Sequence, residues 1–262
     1  MRQHKAATLS QQIAVHSVSP GCFASICHPA RLGSLTSTSF GGSSLAIAIS
    51  AAFQESRRNF HLYSISGYFI RPAKTDRKLF GHVENVRQSK SFETKEIRLS
   101  QEYEDGTSKI CLVALADFHV MEPRSMVAFS TAPELTILPV TSNKQSLDNP
   151  SQLSCSDNDL YHDIERFVEM QPLSLNTAPV DSRIHDQERF ATFSAKSIHT
   201  ERLRARGHLQ NEAEQISALS FYMDKGLAYI PALNNGYHPS EASACASLDF
   251  SLRFFEHHFN LE

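Results

Sequence analysis

The chain has 262 residues, 41% of them hydrophobic and 20% charged, with a formal net charge of −3 at pH 7. That composition describes a globular chain long enough for one large domain or two small ones, and its charge disfavours nucleic acid as the main partner, because phosphate binding needs a concentrated basic face. Five cysteines (Cys22, Cys27, Cys111, Cys155 and Cys245) form no Cys-x-x-Cys pair, so they indicate neither a zinc site nor a disulfide framework and read as reduced thiols inside a cell.

The first ten residues carry early positive charges but no apolar block of the length a secretory signal needs, which predicts a chain that is not secreted. Residues 13–18 are expected to form a first strand and residues 34–39 a polar turn. Residues 39–53 then open on Ser39-Phe40-Gly41-Gly42 and become apolar on every side. A helix with no wet face must be buried all round, and residues 45–53 are far short of the ~20 apolar positions that cross a bilayer. A curved sheet wrapped around this alanine-rich helix satisfies both constraints. Ser39 is the expected N-cap, and the backbone N–H groups of Gly41 and Gly42 stand at the positive end of the helix, where they can receive an anion or a carbonyl oxygen or can merely permit close packing.

Residues 62–70, 79–87, 91–101 and 110–120 read as successive strands. In the first, Tyr63, Ile65, Gly67 and Phe69 are expected on one side and Ser64 and Ser66 on the other. The third is rich in charge and predicts a wet face. Asp105-Gly106 marks a hairpin turn, and the last strand, nearly continuous in apolar residues, is expected at a central, covered position. Residues 141–188 shift to Ser, Asn, Asp, Gln and Pro and predict a linker between units at 1–140 and 189–262. In the second unit residues 190–198 predict a strand, 216–227 a helix with Ile216, Leu219, Met223 and Leu227 at spacings of three and four, and 246–255 a strand. With one strand after its helix, this unit is expected to be incomplete.

No G-x-S-x-G elbow, P-loop or G-x-G-x-x-G sequence occurs. His257 and His258 are neighbours on an extended segment and point to opposite faces, so they are expected to be solvated rather than to share a metal. Lys74, Arg77 and Lys78 are a loop cluster that can meet phosphates or simply water.

Phe40-Gly41-Gly42, the run from Ser64 to Pro72, the run from Val86 to Thr94 and the run from Ala246 to Phe255 together resemble the acyl-CoA thioesterase II family. The resemblance implies an α+β double hotdog fold, two antiparallel sheets each wrapping a central helix, with the second hotdog incomplete. It implies hydrolysis of fatty or polyketide-type acyl-CoA to a free acid and CoA, without metal or organic cofactor. Asp249 carries over as the catalytic carboxylate that orients a water, and Phe40, Gly41, Gly42, Tyr68 and Arg71 as substrate-binding residues. The family's serine or threonine and its glutamine have no matching residues here, and Ser66 replaces a histidine common in the family. Each such hydrogen-bonding group is worth about two to three orders of magnitude in rate when it acts on developing charge. A catalytically degenerate protein that binds an acyl group or a partner chain is therefore the alternative, and a chain without a stable fold a further one. The resemblance further implies a peroxisomal location, or a cytoplasmic one in the absence of an address, a role in fungal secondary metabolism or toxin biosynthesis, and a homo-oligomer without nucleic-acid partners.

Overall fold

The computed structural model describes residues 7–32, 38–122, 124, 164–173, 200–225, 245–257 and 261. In chain order the elements are α1 (Leu9–Ile13), β1 (Val15–Ser19), β2 (Cys22–Ser25), α2 (Gly41–Gln54), β3 (Phe60–Phe69), β4 (Phe80–Gln88), β5 (Phe92–Glu102), β6 (Ser108–Val120), β7 (Val168–Leu173), β8 (Thr200–Ala205), α3 (Glu212–Met223) and β9 (Asp249–Arg253). Seven strands form an antiparallel sheet in the order β1-β2-β4-β5-β6-β3-β9, and β7 pairs with β8 in a second, two-stranded sheet. No described helix is long and apolar enough to cross a membrane.

α2 is buried all round, as its composition requires. Leu45, Ile47, Ile49 and Ala52 pack against the sheet through Ile97, Leu99, Leu112 and Phe118. Ala46 faces the other way, into a second cluster with Ala218 and Phe221 of α3 and Leu9 and Ile13 of α1. The two helices approach so closely that a Cβ on Gly42 would lie 2.1 Å from the Phe221 carbonyl oxygen. Burial of the α2 side chains is the main favourable contribution here, at about 25 cal/mol per Å² of apolar surface removed from water.

Several expectations are corrected. Phe40, not Ser39, is the N-cap of α2; it caps with no side-chain bond, and the Ser39 hydroxyl instead donates to the Phe40 carbonyl at 3.0 Å. The strand expected over 13–18 is β1 at Val15–Ser19, and it is preceded by a capped turn of helix and followed by a hairpin: Thr8 and Gln11 form a capping box, and Pro20-Gly21, with Gly21 at φ 70°, supplies the turn into β2. In β3 a bulge between Leu62 and Ser64 breaks the simple alternation, leaving Tyr63 exposed while Ser64 turns in to donate to Asp117 at 3.1 Å. β5 has the expected wet face, on which Arg98 and Glu102 are exposed, but its other face also carries polar groups, since Glu93, Lys95 and Gln101 face inward and are buried. β6 has β5 and β3 on either side as expected, but Leu115 on its outer face is exposed. Asp105-Gly106 does make the turn, with Gly106 at φ 75°.

Inside the segment expected to be a linker, Ile164 and Phe167 are core residues and β7 pairs with β8. The strand expected at 190–198 lies outside the described residues, as do Gly226 and Leu227. α3 begins at Glu212, four residues earlier than expected, because Asn211 caps it by accepting from the Glu214 N–H. Hairpin, helix and strand thus occur twice in order, as β1-β2-α2-β3 and as β7-β8-α3-β9, and the β3–β9 pairing joins the two halves.

The charge buried under α2 is compensated locally. Lys95 Nζ donates to the Glu55 carbonyl at the C-terminal end of the helix at 2.8 Å and to Asn85 at 2.6 Å, and lies 3.4 Å from Glu93, which Arg57 also binds. Burial alone would raise the Glu93 pKa, but the hydrogen bond from Arg57 and the charge and hydrogen bond of Lys95 outweigh it and hold the carboxyl below its usual range. A depressed carboxylate stabilises the fold above its unfolded pKa and ceases to do so as pH falls through its folded value. Chemical denaturation across acidic pH should therefore show an acid-side loss of stability that Glu93→Gln flattens. Lys95→Met leaves Glu93 with Arg57 and the Ser56 hydroxyl alone and is expected to cost about 3 kcal/mol, and Gly42→Ala, which forces α2 and α3 apart, at least about 2 kcal/mol.

Candidate active site

The predicted site residues do not share one place. Phe40 is buried and packs edge-to-face on Phe221, with ring centroids 5.4 Å apart, and with Gly41 and Gly42 it stands on the helix side of the sheet. Asp249, the first residue of β9, pairs in register with Tyr68 of β3. Both are exposed, whereas their neighbours Phe250 and Phe69 pack on each other at 5.3 Å against the core. Alternation along the strands therefore puts Asp249 and Tyr68 on the outer face, with Ser66 and Ser251 hydrogen-bonded at 3.0 Å beside them. Arg71, exposed just beyond β3, donates to the Ile110 carbonyl at 3.1 Å. The sheet separates the resemblance's carboxylate from the helix end that was to receive the substrate.

A different carboxylate occupies that helix end. Asp224 follows the last residue of α3, and its position is set by the crossing of the two helices: a Cβ on Gly41 would lie 2.4 Å from Asp224 Oδ2. The carboxylate accepts from the Gly42 N–H and from Ser247 Oγ at 2.7 Å. Burial is the largest influence on it and raises its pKa, against the lowering effect of the Ser247 and Gly42 hydrogen bonds. A half-buried carboxylate with a raised pKa at the positive end of a helix can accept a proton from a water. Nothing local in the sequence marks Asp224, since Met223-Asp224-Lys225-Gly226 reads as a helix stop; the α2–α3 crossing alone brings it to Gly42.

Residues 28–119 match the family model of the acyl-CoA thioesterase N-terminal domain. Over that stretch the chain is similar to the acyl-CoA thioesterase family. The thioesterase domain so matched takes in α2 and β3 to β5 and nearly all of β6. Similar solved structures extend the likeness over the second half. The acyl-CoA thioesterase II of Mycobacterium marinum is 15% identical, covering 97% of this chain and 80% of its own, with a TM-score of 0.59. The tesB protein of Mycobacterium avium subspecies paratuberculosis is 16% identical over 95% of this chain and 79% of its own, with a TM-score of 0.63. A hot dog fold protein of unknown function from Alicyclobacillus acidocaldarius is 14% identical, covering 96% and 80%, with a TM-score of 0.61. These likenesses give the fold, an α+β double hotdog. No curated protein matches the chain.

The raised pKa of Asp224 has a sign that can be measured. The folded state holds the proton to higher pH than the unfolded chain does, so this group makes stability fall as pH rises from the ordinary aspartate range through the raised value. Asp224→Asn keeps the Ser247 contact and removes the buried charge. Thermal denaturation should show the variant at least as stable as the wild type at neutral pH, with that decline absent.

Proposed function

We propose that the chain hydrolyses acyl-CoA thioesters at the N-terminus of α2, and the observation that carries this is the Asp224 carboxylate held there by Ser247 and the Gly42 N–H. A water gives a proton to Asp224 as its oxygen adds to the thioester carbonyl carbon. The negative charge that develops on the carbonyl oxygen faces the positive end of α2, where fixed dipoles stabilise it without reorganising. Collapse breaks the carbon–sulfur bond, the proton passes from Asp224 to the departing CoA sulfur, and the free acid remains. No step calls for a metal or an organic cofactor.

Two further features support the same orientation of the substrate. Lys74, Arg77 and Lys109 surround the Tyr103 ring at 5.3, 4.8 and 4.3 Å, and Arg77 is also tied to Asp76 at 2.7 Å. Lys74 bridges to Thr38, and the Ser39 N–H binds the Ala73 carbonyl at 2.7 Å, so these cations stand beside the segment entering α2, within reach of CoA phosphates. Tyr222, two residues before Asp224, lines a narrow apolar crevice with Leu9, Val168, Leu203 and Ala218, which would have to widen to admit an acyl chain.

In this reading the acyl group is of fatty or polyketide type and the setting fungal secondary metabolism, in peroxisome or cytoplasm; the support for these is the resemblance of the motifs. The first unit spans residues 1–140, and the second starts at β7 rather than at residue 189. Tyr63, Phe92 and Leu115 on the outer face of the sheet favour a homo-oligomer, since all three are exposed. A second reading, binding without turnover, is favoured by the fact that Asp224 already takes the Gly42 N–H.

Thiol release over a panel of acyl-CoAs tests the proposal. Asp224→Asn is expected to lose about two orders of magnitude or more in kcat, the usual contribution of a general base. Wild-type activity should rise with pH through the raised Asp224 pKa, because the base must be ionised, and the variant should lack that limb. Activity that survives Asp224→Asn and disappears in Asp249→Asn would move the chemistry to the outer face. A folded wild type that binds acyl-CoA and releases no thiol would establish the second reading.

A further inference from the structure

Three side chains from three separate segments meet at the rim of the β3–β9 pairing. His61 lies on β3, Glu212 is the first residue of α3, and His257 follows β9. His61 Nδ1 is 2.7 Å from Glu212 Oε2, and His257 Nδ1 is 3.7 Å from Glu212 Oε1. The two imidazoles stack with centroids 4.6 Å apart and an angle of 27° between their planes. One donor atom from each side chain can be chosen so that all three lie within 4.8 Å of one another, the one such convergence of histidine, cysteine and carboxylate groups among the described residues. Side-chain exposures of 18%, 22% and 20% leave the group reachable from solvent yet mostly enclosed. His257 is thus mostly enclosed rather than solvated as expected.

We infer that His61, Glu212 and His257 form a site for one divalent transition-metal ion of the zinc type. Imidazole and carboxylate together suit zinc, cobalt and nickel, whereas calcium and magnesium take oxygen ligands almost exclusively. Zinc binds nitrogen and carboxylate oxygen at about 2.0–2.2 Å, so ligand atoms a little over 3 Å apart surround it. The separations present, 2.7 and 3.7 Å, lie on either side of that spacing and run to the two oxygens of Glu212, so the side chains must turn by about an ångström to place one atom each on a shared ion. Glu212 Oε1 is buried with no hydrogen bond, which an ion between it and His257 Nδ1 would satisfy. Three protein ligands leave at least one position open to water. Because His61 belongs to the first half and Glu212 and His257 to the second, the ion clasps the halves together beside β9.

The test uses the full chain, stripped of metal by a chelator and dialysed. Titration with Zn2+ followed by calorimetry should show one strong site, Co2+ should give the visible absorption of a nitrogen- and oxygen-ligated ion, and the thermal midpoint should rise with Zn2+ concentration, since a ligand of the folded state alone stabilises it. His257→Ala and Glu212→Gln should each weaken binding at least tenfold, the lower bound for losing even an outer-shell partner. Glu212→Gln retains an acceptor for His61 and so separates loss of a ligand from loss of the fold, which circular dichroism checks. Absence of a strong site in the folded protein, or Zn2+ affinity unchanged in both folded variants, would overturn the inference.

Discussion

The rest of the structure depends on the enclosure of α2. A helix with Leu45, Ile47 and Ile49 turned to a sheet and Ala46 turned to a second helix has no side left for water. Small residues make this possible: alanines let the sheet close, and Gly42 lets α3 cross within van der Waals contact. The same crossing dictates what stands at the positive end of α2. Because α3 ends where α2 begins, the residue that terminates one helix lies at the start of the other, and in this chain that residue is Asp224. Packing and candidate chemistry thus share one origin.

Enclosure also explains how the interior tolerates charge. Lys95 is fully buried on a strand under the C-terminal end of α2, where helix carbonyls point outward and a cation is favoured. Glu93 and Arg57 complete the group, so each buried charge has a partner. At the opposite end of the helix Asp224 is held by hydrogen bonds and by no cation described here, which leaves burial free to raise its pKa. A carboxylate in that condition is less stable ionised than one in water.

What was legible in the sequence follows the range of the interactions. α2, β4 and the Asp105-Gly106 turn are determined by neighbouring residues, and the motifs around Phe40 and Ser64 were enough to point to the thioesterase family. The inward charges of β5 were not legible, because an alternating pattern gives two faces and does not say which one is buried when both carry charge. The bulge in β3 depends on its partner strand, and β7 lies in a segment whose composition argues for a loop. The site was the least legible part. Asp249 was suggested by its motif and stands exposed on the outer face, whereas Asp224, whose place rests on a helix crossing, and the His61–Glu212–His257 group, which draws on segments more than 40 residues apart, have no signature along the chain. Distance in sequence, not weakness of the contacts, hid them.

The most direct test of the account is a crystal structure of the protein with a non-hydrolysable acyl-CoA analogue, in which a methylene ketone replaces the thioester. The account predicts the ketone oxygen at the N-terminal end of α2, with Asp224 within hydrogen-bonding distance of a water beside the carbonyl carbon and the phosphates near Lys74 and Lys109. An analogue bound on the outer face of the sheet, with its carbonyl against Asp249 and Tyr68, would contradict it.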